Sequence, residues 1–155
     1  MLFHVQSRDP LSARLTKDVD LAVDRADVPR ITEAVREAGL EYRHVAGVDM
    51  LVDAQAPSAR SAVHLVFIGE KVRPQYPEPV PDFSRPAVVE EGILLASVAD
   101  LVRMKLTSLR LKDKVHLLDM DSVGLITPEV EAELSQVLRD RLNQVRAEGQ
   151  STGAE

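Results

Sequence analysis

The stretch Arg14-Leu15-Thr16-Lys17-Asp18-Val19-Asp20-Leu21-Ala22-Val23 sets two carboxylates inside an apolar alternation. Side chains of a strand alternate between its faces. Asp18 and Asp20 therefore share one face, and Val19, Leu21 and Val23 share the other, where they are expected to be buried. By strand rise the two acids stand ~6.5 to 7 Å apart. Like charges at that separation repel, and a divalent cation held by oxygen ligands relieves the repulsion. The competing reading is a half-exposed strand with both acids in water and Arg14 and Lys17 nearby for balance.

Outward from this strand, helical and extended patterns interleave without an internal repeat, which points to an α/β (α+β) domain. Asp27 as N-cap and Pro29 in the first turn open a helix whose Val28, Ile31, Ala34, Val35 and Ala38 recur at helical spacing until Gly39 stops it. Leu40 to His44, Val48 to Val52 and Ala62 to Ile68 read as extended, with a turn at Gly69-Glu70. A connection carrying Pro74, Pro77, Pro79, Pro81 and Pro86 is expected to be ordered loop. Ser97-Val98-Ala99-Asp100 is a capping box with Asp in place of Glu and opens a helix through Leu101, Val102, Leu106 and Leu109. A second helical stretch runs from Asp113 to about Ser122. Thr127-Pro128-Glu129 opens a last helix, predicted to reach about Arg146. Met1 to Val5 read as the end of a helix.

The chain has 155 residues, enough for one domain with a sizeable core, expected over residues 1–147 with 148–155 as a flexible tail. With 45% hydrophobic residues but only 3% aromatic and no Trp, that core is aliphatic. The absence of Cys excludes a disulfide framework and thiolate chemistry and fits a reducing compartment. No apolar run approaches ~18 residues and the start lacks an export pattern, so a cytoplasmic protein without membrane contact is expected. A net charge of −6 argues against non-specific coating of nucleic acid, but leaves room for a local basic patch that meets phosphates.

Such a patch exists on the helix opened by Ser97. Lys105 interrupts the apolar stripe of Val98, Leu101, Val102 and Leu109, so its ammonium either snorkels past the core or enters a polar site. Arg110, Lys112 and Lys114 follow within a few residues. They form either a solvated face or a set of cations that grips a triphosphate.

Together, Arg14-x-Thr16-x-Asp18-x-Asp20-Leu21, the helix ending at Gly39, and Ser97-x-x-Asp100-Leu101-x-x-x-Lys105-Leu106 followed by Arg110-x-Lys112-Asp113 resemble the nucleotidyltransferase superfamily. The likeness is to the minimal and abortive-infection-type nucleotidyltransferase-like proteins of bacteria, and it spans Ala13 to Leu118. It implies a nucleotidyltransferase-like mixed sheet flanked by helices, with further helices at the C-terminal end. It also implies Asp18 and Asp20 as catalytic residues that hold magnesium, or manganese, bound to a nucleoside triphosphate. A third catalytic carboxylate is expected on a neighbouring strand and is assigned to Asp49, in a segment where Asp53 shares its face. An alternative alignment sets His64 in that place. Ser7, Arg14, Thr16, Lys105, Arg110 and Lys112 are the implied nucleotide contacts. His116 could face the same cleft, whereas Asp119 and Asp121 read as a solvated helix end.

The sequence departs from that family in one respect. A Gly-Ser or Gly-Gly loop should precede the acidic strand so that backbone N–H groups approach the phosphates. Here Ser7 stands without a glycine, the first being Gly39, and the missing loop is expected upstream of Met1 in a longer reading frame. The resemblance implies metal-dependent transfer of a nucleoside monophosphate to an RNA or protein hydroxyl in the full-length form. The alternative is a degenerate module that binds without turnover. Either fits a toxin-antitoxin or phage-defence pair with an antitoxin protein as partner. A third reading is an interaction protein whose acidic strand and basic helix merely pair.

Overall fold

The acidic strand is followed by a helix, a hairpin and a strand that returns beside it. In the computed structural model, which describes residues 19–88 and 94–152, β1 (Val19–Val23) leads through a 3-10 turn (Arg25–Asp27) into α1 (Val28–Arg36). Next come β2 (Leu40–Val45), β3 (Val48–Asp53), β4 (Val63–Phe67), β5 (Ala87–Val88) and β6 (Leu94–Leu95). Four helices close the chain: α2 (Val98–Ser108), α3 (Leu111–Ser122), α4 (Pro128–Ala132) and α5 (Gln136–Thr152). The order in the main sheet is β1-β4-β3-β2, and β5 pairs with β6 separately. β1 runs parallel to β4 while the other pairs are antiparallel. This is the mixed α+β architecture expected.

Local chemistry accounts for the boundaries. Gly39 has φ +73° where α1 gives way to β2, a conformation that costs glycine nothing. Ala46 and Gly47 both have positive φ, +51° and +75°, as a two-residue hairpin turn that follows the sheet twist requires. The Ser97 hydroxyl accepts the Asp100 N–H at 3.1 Å, and Thr127 caps α4 by accepting from Val130 N–H at 3.4 Å.

Register decides which side chains share a face. One row reads Asp20, His64, Met50, Arg43 across the sheet, and the next reads Leu21, Leu65, Asp49, His44. On the face of the second row, Leu51, Leu65 and Phe67 pack with Val23 and with Val28, Ile31 and Val35 of α1. Alternation in β1 is thus as read from the sequence, but burial is not: Val19 and Leu21 are 52% and 43% exposed. The reason is that the apolar stripe of α1 gathers on the inner strands and on Val23, at the far end of β1.

The C-terminal helices build their own core from Val102, Leu106, Leu117, Met120, Leu138 and Leu142. The last predicted helix is two helices, α4 and α5, with Leu134 between them turned into this core at 3% exposure. Nor does the helix end near Arg146 with a loose tail from Glu148. Glu148 accepts from Lys114 at 2.7 Å, and Gly149 lies so close to α3 that a Cβ there would sit 2.8 Å from Leu118 Cδ2. These contacts hold the helix through Thr152. Among the described residues no helix is long and apolar enough to cross a membrane.

Candidate functional site

A cleft of about 660 Å³ opens between the Asp20–His64 face of the sheet and the facing parts of α2 and α3. On the sheet side, Asp20 has a 62% exposed side chain, and its Oδ1 stands 3.7 Å from Nδ1 of its cross-strand neighbour His64. On the helix side stand Lys105, Ser108, Arg110, Lys112 and Asp113. The two sides act on each other electrostatically. Asp113 holds the Arg110 guanidinium above its usual value, with weaker help from Tyr76 and Asp20.

The helix side is organised by Asp113, whose side chain is 2% exposed. Leu109 adopts φ +48° and ends α2, so that Arg110 can cap α3. Asp113 Oδ2 then accepts from Ser108 Oγ at 2.6 Å, from Arg110 Nε at 2.7 Å and from the Arg110 backbone N–H at 3.2 Å. Burial alone would push this carboxyl up, but the bonds from Arg110 and Ser108 and the charges of Arg110 and Lys105 outweigh it and hold it below the usual value. Arg141 of α5 fixes the end of α2 from behind, donating to the carbonyls of Leu106 and Thr107 at 2.8 and 2.9 Å.

Lys105 does not snorkel to the far surface. Its side chain is 15% exposed, with Nζ 3.7 Å from Asp113 Oδ1 and 3.1 Å from His116 Nδ1. Burial depresses its pKa, partly offset by Asp113 and Asp20 and reinforced by Arg110 and Lys112. The ammonium thus lines the cleft already partnered, and a phosphate would compete with or join these contacts.

The structure does not bring Asp49 to Asp20. Asp49 reaches the rim of the same cleft, but its carboxylate lies on the opposite sheet face, where it accepts from Tyr42 Oη and pairs with His44 Nδ1 at 2.9 Å. Burial raises its pKa, but the Tyr42 and His44 hydrogen bonds and the charges of His44 and Arg25 together hold it low. In the same region, Arg25 donates to Glu70 from Nε and Nη2, each at 2.7 Å, and lies 3.6 Å above the Phe67 ring. Asp53 shares the Asp49 face at the far end of β3, where it accepts from the backbone N–H groups of Gln55 and Ala56. The row of Asp20 carries His64 and then Met50, so the alternative alignment describes the neighbour of Asp20. The strand reading went astray because β3 has no apolar/polar alternation to fix its register: Met50, Leu51 and Val52 are all buried.

Ser7, Arg14, Thr16 and Asp18 lie outside the described residues. Among the described residues no group of three His, Cys, Asp or Glu side chains gathers to hold a metal. Asp20 and His64 offer one oxygen and one nitrogen donor at a separation two ligands of one cation can have. That pair suits manganese, which accepts imidazole, better than magnesium, which demands oxygen. Sequence reading passed over the loop from Gly69 to Val80, which lines the cleft with Lys71, Arg73 and Tyr76. The signal was there in Lys71-Val72-Arg73-Pro74, two cations beside a proline turn.

No protein-family profile matches the chain, and no curated protein matches it. Among solved structures it is similar to the antibiotic-resistance factor ANT(2'')-Ia, at 10% identity and a TM-score of 0.41 over 98% of this chain and 80% of that one. A likeness of that size is too slight to carry an activity across.

Proposed function

We propose that this chain is a nucleotidyltransferase-like domain that takes a nucleoside triphosphate and a divalent cation in the cleft between β1 and the α2–α3 corner. The observation that carries the reading is that Asp20, exposed on one wall, and Lys105, Arg110 and Lys112, on the other, line one cleft. Asp20, with Asp18, would hold the cation, and Lys105, Arg110 and Lys112 would receive the phosphates. A bound cation supplies charge neutralisation at the phosphate oxygens. Transfer would join an RNA or protein hydroxyl oxygen to the α-phosphorus and release pyrophosphate, with the hydroxyl proton passing to a base. In this reading the cation is left to Asp18 and Asp20, and His64 is the neighbour of Asp20 that would receive that proton.

A specific observation favours a second reading. The position next to Asp20 in its row is His64 and not a carboxylate, which fits a module that binds nucleotide and has lost turnover. Both readings are tested by thermal melts with metal alone, nucleoside triphosphate alone, and both together. Ligand at a hundredfold excess over its dissociation constant stabilises the folded state by about 2.7 kcal/mol. The largest upward shift is expected with both present, and no shift in any condition would refute both. Label from the α-phosphate of the nucleotide appearing on RNA or protein supports the enzyme, and a shift without label transfer supports the module.

A further inference from the structure

The loop from Gly69 to Val80 is fastened at both ends, to the 3-10 turn before α1 and to α2. Gly69 N–H donates to Val80 carbonyl and Val80 N–H to Glu70 carbonyl, each at 2.9 Å, closing the loop at its base. Glu70 is bonded to Arg25 on the sheet side, and Glu78 stands 3.6 Å from Arg103 of α2. Within the loop, Tyr76 N–H donates to Arg73 carbonyl at 3.0 Å, a turn whose second position is Pro74. Pro77 and Pro79 fix φ on the far side. A closed loop of this size, stiffened by prolines, displays its side chains at low entropic cost.

What it displays is unusual for this chain. There are two tyrosines and three phenylalanines in all. The Phe67 ring is covered by Arg25, and Tyr42 is committed to Asp49. Tyr76 is half-buried on the cleft wall, and among the described residues its hydroxyl takes no hydrogen-bond partner. It shares the cleft lining with Arg110, on whose guanidinium it acts electrostatically. Lys71 and Arg73, on the same loop, form no ion pair among the described residues, although the chain carries a net charge of −6. The loop therefore offers an uncommitted aromatic face and two uncommitted cations next to the phosphate-gripping corner.

We infer that this loop is the nucleoside half of the site, with the Tyr76 ring as the platform on which the nucleobase stacks while the phosphates reach Lys105 and Arg110. The inference rests on the nucleotide reading above and adds the residue that recognises the base. Stacking uses the π-face that every base has, so all four nucleoside triphosphates are accepted, with little discrimination among them.

Calorimetric titration of the full chain with ATP and with inorganic tripolyphosphate, each with magnesium or manganese, separates the two halves. Tyr76→Ala should weaken ATP about 5- to 150-fold, the range for loss of one stacked base, and leave tripolyphosphate unchanged. Tyr76→Phe should bind ATP like the parent, and Tyr76→Leu, which keeps apolar volume without the π-face, should behave like Tyr76→Ala. Equal affinity for ATP in the parent and in Tyr76→Ala, with tripolyphosphate bound by both, would overturn the base platform and leave the phosphate site standing. An equal loss for both ligands would reduce Tyr76 to a structural role. Failure of the parent to bind either ligand would overturn the nucleotide reading, and this inference with it.

Discussion

Asp20 and Asp49 sit in adjacent rows of one sheet and have opposite fates. Asp49 is enclosed by Tyr42 and His44, with Arg25 close by and held by Glu70, so its charge is answered within its own neighbourhood. Asp20 stands 62% exposed with one histidine beside it, and the cations it influences lie across open space. An acid that the fold satisfies is cemented in place. An acid left facing distant cations is free to meet a ligand that bridges the gap.

The sharpest way to break this contrast is at Asp113, the acid on the helix wall. Removing one partner from a buried charged network strands the others, at about 3 to 5 kcal/mol, and here the lower end is expected because Arg110 is 56% exposed. Urea denaturation of Asp113→Ala should show that loss. A variant as stable as the parent would mean that Lys105 does not depend on its carboxylate.

The next largest effect should separate the two sheet acids. Asp20→Asn should leave stability without ligand nearly unchanged and abolish the extra thermal shift given by metal and nucleotide together, about 2.7 kcal/mol at hundredfold excess. Asp49→Asn should do the reverse, costing about 1 to 3 kcal/mol without ligand by leaving the Tyr42 and His44 donors poorly met, and keeping the ligand shift. If both variants lose the shift equally, the faces are not functionally distinct.

The contrast extends to acid pH. Because the folded state holds Asp49 and Asp113 below their usual values, the unfolded chain binds more protons there as pH falls. Their stabilisation is complete above the ordinary aspartate pKa of about 4 and is lost as pH drops through the lower folded values. Asp49→Asn should flatten the acid limb of the stability profile, measured by urea midpoints, and an unchanged limb would mean that Asp49 contributes nothing to it.

The smallest effect belongs to Lys105. Burial lowers its pKa, so the folded state binds its proton less readily than the unfolded chain, and stability rises with pH between the folded and the unfolded value. Lys105→Met should therefore match the parent within about 1 kcal/mol at neutral pH, lose that alkaline rise, and bind nucleotide more weakly. Unchanged nucleotide affinity would remove Lys105 from the site.

The local elements were legible in the sequence because their causes are local. Pro29 and Gly39 bound α1, Ser97 and Thr127 cap their helices through side chains three residues from the N–H they bind, and alternation in β1 separates Asp20 from Leu21. Lys105 stood out as a charge in an apolar stripe for the same reason. The partners of these residues were decided only in tertiary structure. Register across β4 and β3 puts His64 beside Asp20 and turns Asp49 away, and an apolar run such as Met50-Leu51-Val52 carries no periodic signal from which to read that register. Arg141 reaches the end of α2 from 35 residues away, Gly149 seats on Leu118, and the Gly69–Val80 loop closes on itself through backbone hydrogen bonds that any side chains could accompany. Spacing along the chain records what a residue does to its neighbours within a turn or a strand. Contacts between distant segments depend on packing the whole domain, and no local pattern encodes them.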